Sequence, residues 1–129
     1  MIILRRSFRP LLSLLGFLLL LATACWARSI HSDLFIEPGK QFVLGGEQQG
    51  KFKVAAHNKG KVPVTIKERP RGGGIFGKAT LAPGQHTTLA FGARSAAVLL
   101  NPSAQQANLD LRITGDTNLS MNYQTNVGR

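Results

Sequence analysis

Residues 109–123 read LDLRITGDTNLSMNY. Leu109, Leu111 and Ile113 alternate with Asp110 and Arg112, and the run stops at Gly115-Asp116. Leu119, Met121 and Tyr123 then alternate with Ser120 and Asn122. A period of two places every second side chain on one face, the pattern of a half-buried strand. The Gly-Asp pair between the runs supplies turn chemistry. The stretch therefore predicts two strands and a turn, with one apolar face to be covered.

The same rhythm extends towards the N-terminus. Val62, Val64 and Ile66 alternate with Pro63, Thr65 and Lys67. Pro63 has no N–H to give a ladder, so it marks either an edge strand or a strand start. Thr88 to Phe91 alternates, and so does Lys51 to Val54, which continues towards His57 and ends at Asn58-Lys59-Gly60. Leu34 to Glu37 stops at Pro38-Gly39, Gln41 to Leu44 at Gly45-Gly46, and Lys78 to Leu81 at Pro83-Gly84. Ala96 to Leu100 is continuously apolar, and is the one run that a helical turn would also fit. Segments recur about every 8–12 residues, the spacing of an all-β sandwich or barrel. Phe35, Phe42, Phe52, Phe76, Phe91 and Tyr123 fall mostly on the apolar faces and read as core.

The first residues follow a different logic. Arg5, Arg6 and Arg9 give a positive flank, Leu11 to Ala24 is apolar and free of charge, and small residues gather at Ala22-Thr23-Ala24. Charge, apolar run and small residues in that order are what an export machinery and a signal peptidase read. The run is short of the ~20 residues that span a bilayer as a helix. The expected plan is a helical signal segment over 1–24, a tether over 25–33, one antiparallel β-sandwich over 34–124 and a tail over 125–129.

Composition narrows the chemistry. The chain has 129 residues, 16 Lys and Arg, 6 Asp and Glu, and a single cysteine, Cys25. A lone cysteine excludes an intrachain disulfide framework and a cysteine-based zinc site. The basic excess suits an anionic partner or surface. Lys51, Lys53, Lys59, Lys61, Lys67, Arg69, Arg71 and Lys78 crowd one stretch opposed only by Glu68. Lys51 and Lys53 share a strand face, as do Lys67 and Arg69 if their strand continues. Those eight residues form the candidate surface for an anionic envelope polymer, a lipid headgroup or a partner protein. Too few aromatics are interleaved for a nucleic-acid surface.

Two resemblances attach to these residues. Leu21-Ala22-Thr23-Ala24-Cys25 resembles the lipobox of bacterial lipoproteins, which implies acylation of Cys25 and a membrane anchor there. Ordinary cleavage before Cys25 or after Ala27 is the other reading of the same residues. Asn58-Lys59-Gly60-Lys61-Val62-Pro63-Val64, with Leu81-Ala82-Pro83-Gly84 before the next strand, resembles the small immunoglobulin-like sandwiches found outside bacterial cells. That resemblance implies a fold and leaves function open.

Catalytic and cofactor signals are weak. Gly72 to Lys78 has phosphate-loop spacing, but Ala79 stands where magnesium needs Ser or Thr, and no helix follows. No nucleotide and no cofactor are therefore expected. His31, His57 and His86 are scattered without ligand spacing, and no metal site is expected. Asp116-Thr117-Asn118 reads equally as a calcium loop or a turn. The expectation is a non-catalytic, exported envelope protein, lipid-anchored or periplasmic. Its rivals are an accessory subunit of an envelope complex and a small secreted hydrolase built on His57, His86 and distant carboxylates.

Overall fold

A computed structural model describes residues 29–125, and these form nine strands in two antiparallel sheets. The leader over 1–24, Cys25 and the tail after Thr125 lie outside the described residues. The strands are β1 (Ser29–Ile36), β2 (Lys40–Gly45), β3 (Phe52–Asn58), β4 (Val64–Arg69), β5 (Phe76–Leu81), β6 (His86–Phe91), β7 (Ala96–Leu100), β8 (Ala107–Gly115) and β9 (Met121–Thr125). Sheet A has the order β1-β8-β3-β6, and sheet B the order β5-β4-β7-β2-β9.

The all-β antiparallel sandwich expected from the alternation is what forms. Its pairing is nested: β4 pairs β5, β3 pairs β6, β2 pairs β7 and β1 pairs β8. The first eight strands are thus one long hairpin, folded at its β4–β5 tip and rolled so that successive pairs fall in opposite sheets. That is the double Greek-key plan of a jelly roll. An immunoglobulin sandwich instead pairs its first two strands within one sheet. β9 then adds to the free edge of β2.

Alternation explains the core. Leu34 and Ile36, Phe52, Val54 and Ala56, and Leu109, Leu111 and Ile113 point inward from sheet A. Phe42 and Leu44, Val64 and Ile66, and Ala97 and Leu99 meet them from sheet B. Phe52 and Phe91 stack with ring centroids 5.1 Å apart. Each large side chain removed from water in this way contributes about 1.5–3 kcal/mol.

Four sequence readings change. Phe35, Phe76 and Tyr123, read as core, are exposed. Residues 29–33, read as tether, are the first part of β1, and Ser29 pairs with Thr114. The half-buried Ser32 faces inward among Ile30, Leu34 and Ile36 and weakens the apolar period there. The described strands accordingly run from Ser29 to Thr125. Ala96–Leu100 is a strand, buried on both faces because it lies between β4 and β2. A strand covered twice loses alternation and reads as a continuous apolar run. Pro63 is settled as a strand start, since β4 begins one residue later and lies inside sheet B.

Buried polar side chains lock the connections. Asn58 Nδ2 donates to the Val62 and Leu81 carbonyls at 2.8 and 3.0 Å. Asn101 Nδ2 donates to the carbonyls of Ile36 and Gln105 at 2.9 and 2.6 Å. Gln48 Nε2 donates to the carbonyls of Gly92 and Ser95 at 3.2 and 2.9 Å. Among the described residues no buried side-chain donor or acceptor lacks a partner.

Candidate functional site

The tip of the long hairpin builds a concavity. Lys67 and Arg69 alternate with the inward Ile66 and Glu68, so β4 presents both cations on the outer face of sheet B. Beyond Arg69 the chain turns at Pro70, and the Gly73 N–H donates to the Pro70 carbonyl at 3.1 Å. Gly73 and Gly74 have φ of 96° and 80°. Those values favour glycine, and a Cβ at either would meet nothing within 4 Å. The glycines are therefore required for backbone conformation and not for space.

The turn borders a cavity of about 680 Å³ whose walls carry Lys67, Arg69 and Arg71 together with Gln41, Gln124 and Ile75. Among the described residues no acidic side chain lines it. Gln41 Nε2 donates to Gln124 Oε1 at 3.0 Å, which ties β9 to β2 at the cavity wall. Three cations converge here beside an open glycine backbone, with no carboxylate among the described lining residues. The arrangement offers charge-assisted donors to phosphate or carboxylate oxygens.

The other cations named from the sequence lie elsewhere. Lys53 is on the outer face of sheet A, and Lys51 precedes β3 beside it. Lys59 is 3.0 Å from Asp33 Oδ1, and Lys61 is exposed in the connection before Val62. Asp33 is held below the ordinary carboxylate range by the Asn108 side chain first and by Lys59 next.

Lys78 is turned inward. Its Nζ lies 3.2 Å from Glu68 Oε1, donates to the Ala90 carbonyl at 2.9 Å and stands 5.3 Å from the centre of the Phe91 ring. The Gly92 N–H donates to Glu68 Oε2 at 3.1 Å. Burial, the largest influence on Glu68, pushes its pKa up. The Ser95 side chain, the Gly92 N–H and Lys78 together outweigh it, and the pKa falls below its ordinary value. Lys78 therefore belongs to a structural pin between β5 and the β6–β7 connection. The eight cations do not make one row, because rolling the hairpin sends them to opposite faces.

The phosphate-loop spacing over Gly72–Lys78 falls on the hairpin tip and runs into strand β5. Asp116 accepts the N–H groups of Gly50 and Asn118 at 2.8 and 3.0 Å, so it staples a turn. These two bonds hold its pKa low, that of Asn118 being the larger influence. Among the described residues no three His, Cys, Asp or Glu groups are gathered for a metal ion, and no helix is long and apolar enough to cross a membrane. His57 and His86 do meet, on an open sheet face, with ring centroids 6.0 Å apart.

Sequence reasoning missed Gln41, Gln124 and Arg94. Arg94 shares a hollow of about 370 Å³ with Arg71 and Glu47. Its φ of 57° is the one signal, visible only in the folded chain.

No protein-family model matches this chain, and no curated protein sequence matches it. Solved structures resemble it in fold. An oxalate oxidase structure gives a TM-score of 0.50 at 8% identity, over 70% of this chain and 44% of the other. The mitogen from Yersinia pseudotuberculosis gives 0.45 at 12% identity, over 73% and 95%. A protein described as a sugar phosphate isomerase, from Acidithiobacillus ferrooxidans, gives 0.43 at 14% identity, over 76% and 62%. The chain spans less than half the length of the first of these. At such identities the likeness concerns the fold alone.

Proposed function

We propose that this is a non-catalytic, exported protein of the cell envelope that holds an anionic envelope component at the β4–β5 tip. The observation that carries the reading is the convergence of Lys67, Arg69 and Arg71 on one cavity with no acidic side chain among its described lining residues. Export follows from the leader, Arg5 through Ala24, and residence is at the membrane through lipid on Cys25 or free in the periplasm. The ligand chemistry is a phosphate or carboxylate group on a polymer or a lipid surface, because three fixed cations favour multivalent anions.

The test is retention of the full chain on anionic vesicles, neutral vesicles and isolated peptidoglycan at rising salt. Binding to an anionic phase at low salt, falling as salt rises, is expected. Each cation near a charged surface contributes about 1 kcal/mol, so changing Lys67, Arg69 and Arg71 together to Ala weakens binding about a hundredfold. Equal retention of the triple variant, or no retention on either anionic phase at low salt, defeats the reading. Mass analysis of the mature N-terminus from a membrane fraction separates acylated Cys25 from a cut before it or after Ala27.

A further inference from the structure

The three histidines of the chain lie far apart in sequence and gather on the outer face of sheet A. Asp110 of β8 faces Asp33 of β1 on one side and His57 of β3 on the other. His57 in turn faces His86 of β6. A row therefore runs Asp33, Asp110, His57, His86 across all four strands. His31 enters it diagonally, with Nε2 2.7 Å from Asp110 Oδ1. All three histidine side chains are exposed.

The His57–His86 pair has the geometry that matters. The next pair along is joined by the Asn58 N–H donating to the Gln85 carbonyl at 2.9 Å. In an antiparallel ladder this makes His57–His86 a non-hydrogen-bonded pair, with Cα atoms about 4.5 Å apart and side chains at their closest. The rings lie 6.0 Å apart between centroids and are inclined at 83°. Two imidazole nitrogens sharing one ion at about 2.0–2.1 Å stand roughly 3 Å apart. Exposed side chains on neighbouring strands reach that separation by rotating about χ1 and χ2, with no movement of the backbone. β6 is the edge strand of sheet A, so the approach to His86 is open on one side.

We propose that His57 and His86 form a two-imidazole site for a divalent transition-metal ion, of the zinc or nickel kind, with Asp110 positioning His57. Imidazole suits these ions, while the hard ions magnesium and calcium prefer oxygen. Water completes the coordination, because the described residues hold no gathered set of three ligands. Asp110 flanks His57 on the side away from His86, where a carboxylate takes the second ring N–H of a metal-bound histidine. The site lies on the sheet opposite the cationic cavity and is independent of it.

The experiment is calorimetric titration of the tag-free full chain with Zn²⁺ and, separately, Ni²⁺, with Mg²⁺ as the control ion. One ion per chain is expected for Zn²⁺ and Ni²⁺, with no heat from Mg²⁺. His57→Gln and His86→Gln each abolish binding, and Asp110→Asn weakens it about tenfold. His31→Gln leaves it within about twofold. All these positions are on the surface, and a thermal melt of each variant checks that it folds. Absence of Zn²⁺ and Ni²⁺ binding overturns the proposal. So does binding that survives the paired His57→Gln and His86→Gln change in a folded chain.

Discussion

The two outer faces of the sandwich arrange their charges differently. On sheet A both carboxylates are engaged: Asp33 meets Lys59 at 3.0 Å, and Asp110 meets His31 at 2.7 Å, while Lys53 and Arg112 stand exposed on the same face. Sheet B surrounds a small apolar cluster of Val43, Ala96 and Val98, and its cations Lys67, Arg69 and Arg71 line a cavity with no carboxylate among the described residues. The inner faces of the two sheets are alike, so the core does not set them apart. What separates them is where the nested pairing brings residues from distant parts of the chain. A cation beside a carboxylate is held in place, whereas cations gathered around a hollow without one stay available to a ligand.

The largest expected effect tests that contrast directly. If the imbalance of sheet B is what binds, the Lys67, Arg69 and Arg71 triple change costs about a hundredfold in retention. Changing Lys51 and Lys53 to Ala on the sheet A side is expected to leave retention within about twofold. Equal losses from the two sets would erase the distinction between the faces.

Next comes the pin that divides them. Glu68→Gln leaves Lys78 beside a neutral group and weakens two charge-assisted hydrogen bonds, a loss of about 2 kcal/mol in denaturant unfolding. The pH dependence follows from the lowered pKa of Glu68. A depressed carboxylate stabilises the fold above its ordinary value of 4.5 and loses that contribution as pH falls through the folded value. The native chain should therefore weaken below about pH 4.5, and Glu68→Gln should weaken less steeply.

A smaller effect belongs to the glycine tip. Gly73→Ala places a side chain at a left-handed backbone position, at a cost of about 1–2 kcal/mol. Gly72→Ala meets nothing within 4 Å and has no positive φ, so it is expected to be neutral in the same melt. The smallest effect is Asp33→Asn on sheet A. That exposed pair should leave the melting temperature unchanged within error.

The sequence made much of this legible and left a definite part hidden. Alternation at 62–67 and 109–113 depends on local periodicity alone, so the strands and their buried faces could be read directly. Ser32 interrupted the same signal in β1, and residues 29–33 passed for a tether. The crowding of Lys51 to Lys78 was visible, but its division between faces was not. Lys53, Lys67 and Lys78 look equivalent in composition, yet register sends one to each outer face and the third against Glu68. Gln124 and Arg94 join the cavity region only because β9 reaches β2 and the β6–β7 connection folds beside Arg71, relations that no local pattern encodes.

The nested hairpin also bears on how quickly this chain finds its fold. Val64 pairs with Leu81, Phe52 with Phe91, and Ser29 with Thr114, so each ladder encloses the one before it. Folds dominated by such distant pairings form in roughly milliseconds to seconds. Only the β4–β5 ladder can close without waiting for another, and each ladder that forms shortens the loop that the next must close. The glycine turn that shapes the cationic cavity is thus also the natural starting point of the folding order, with β1 and β8 joining last among the nested pairs.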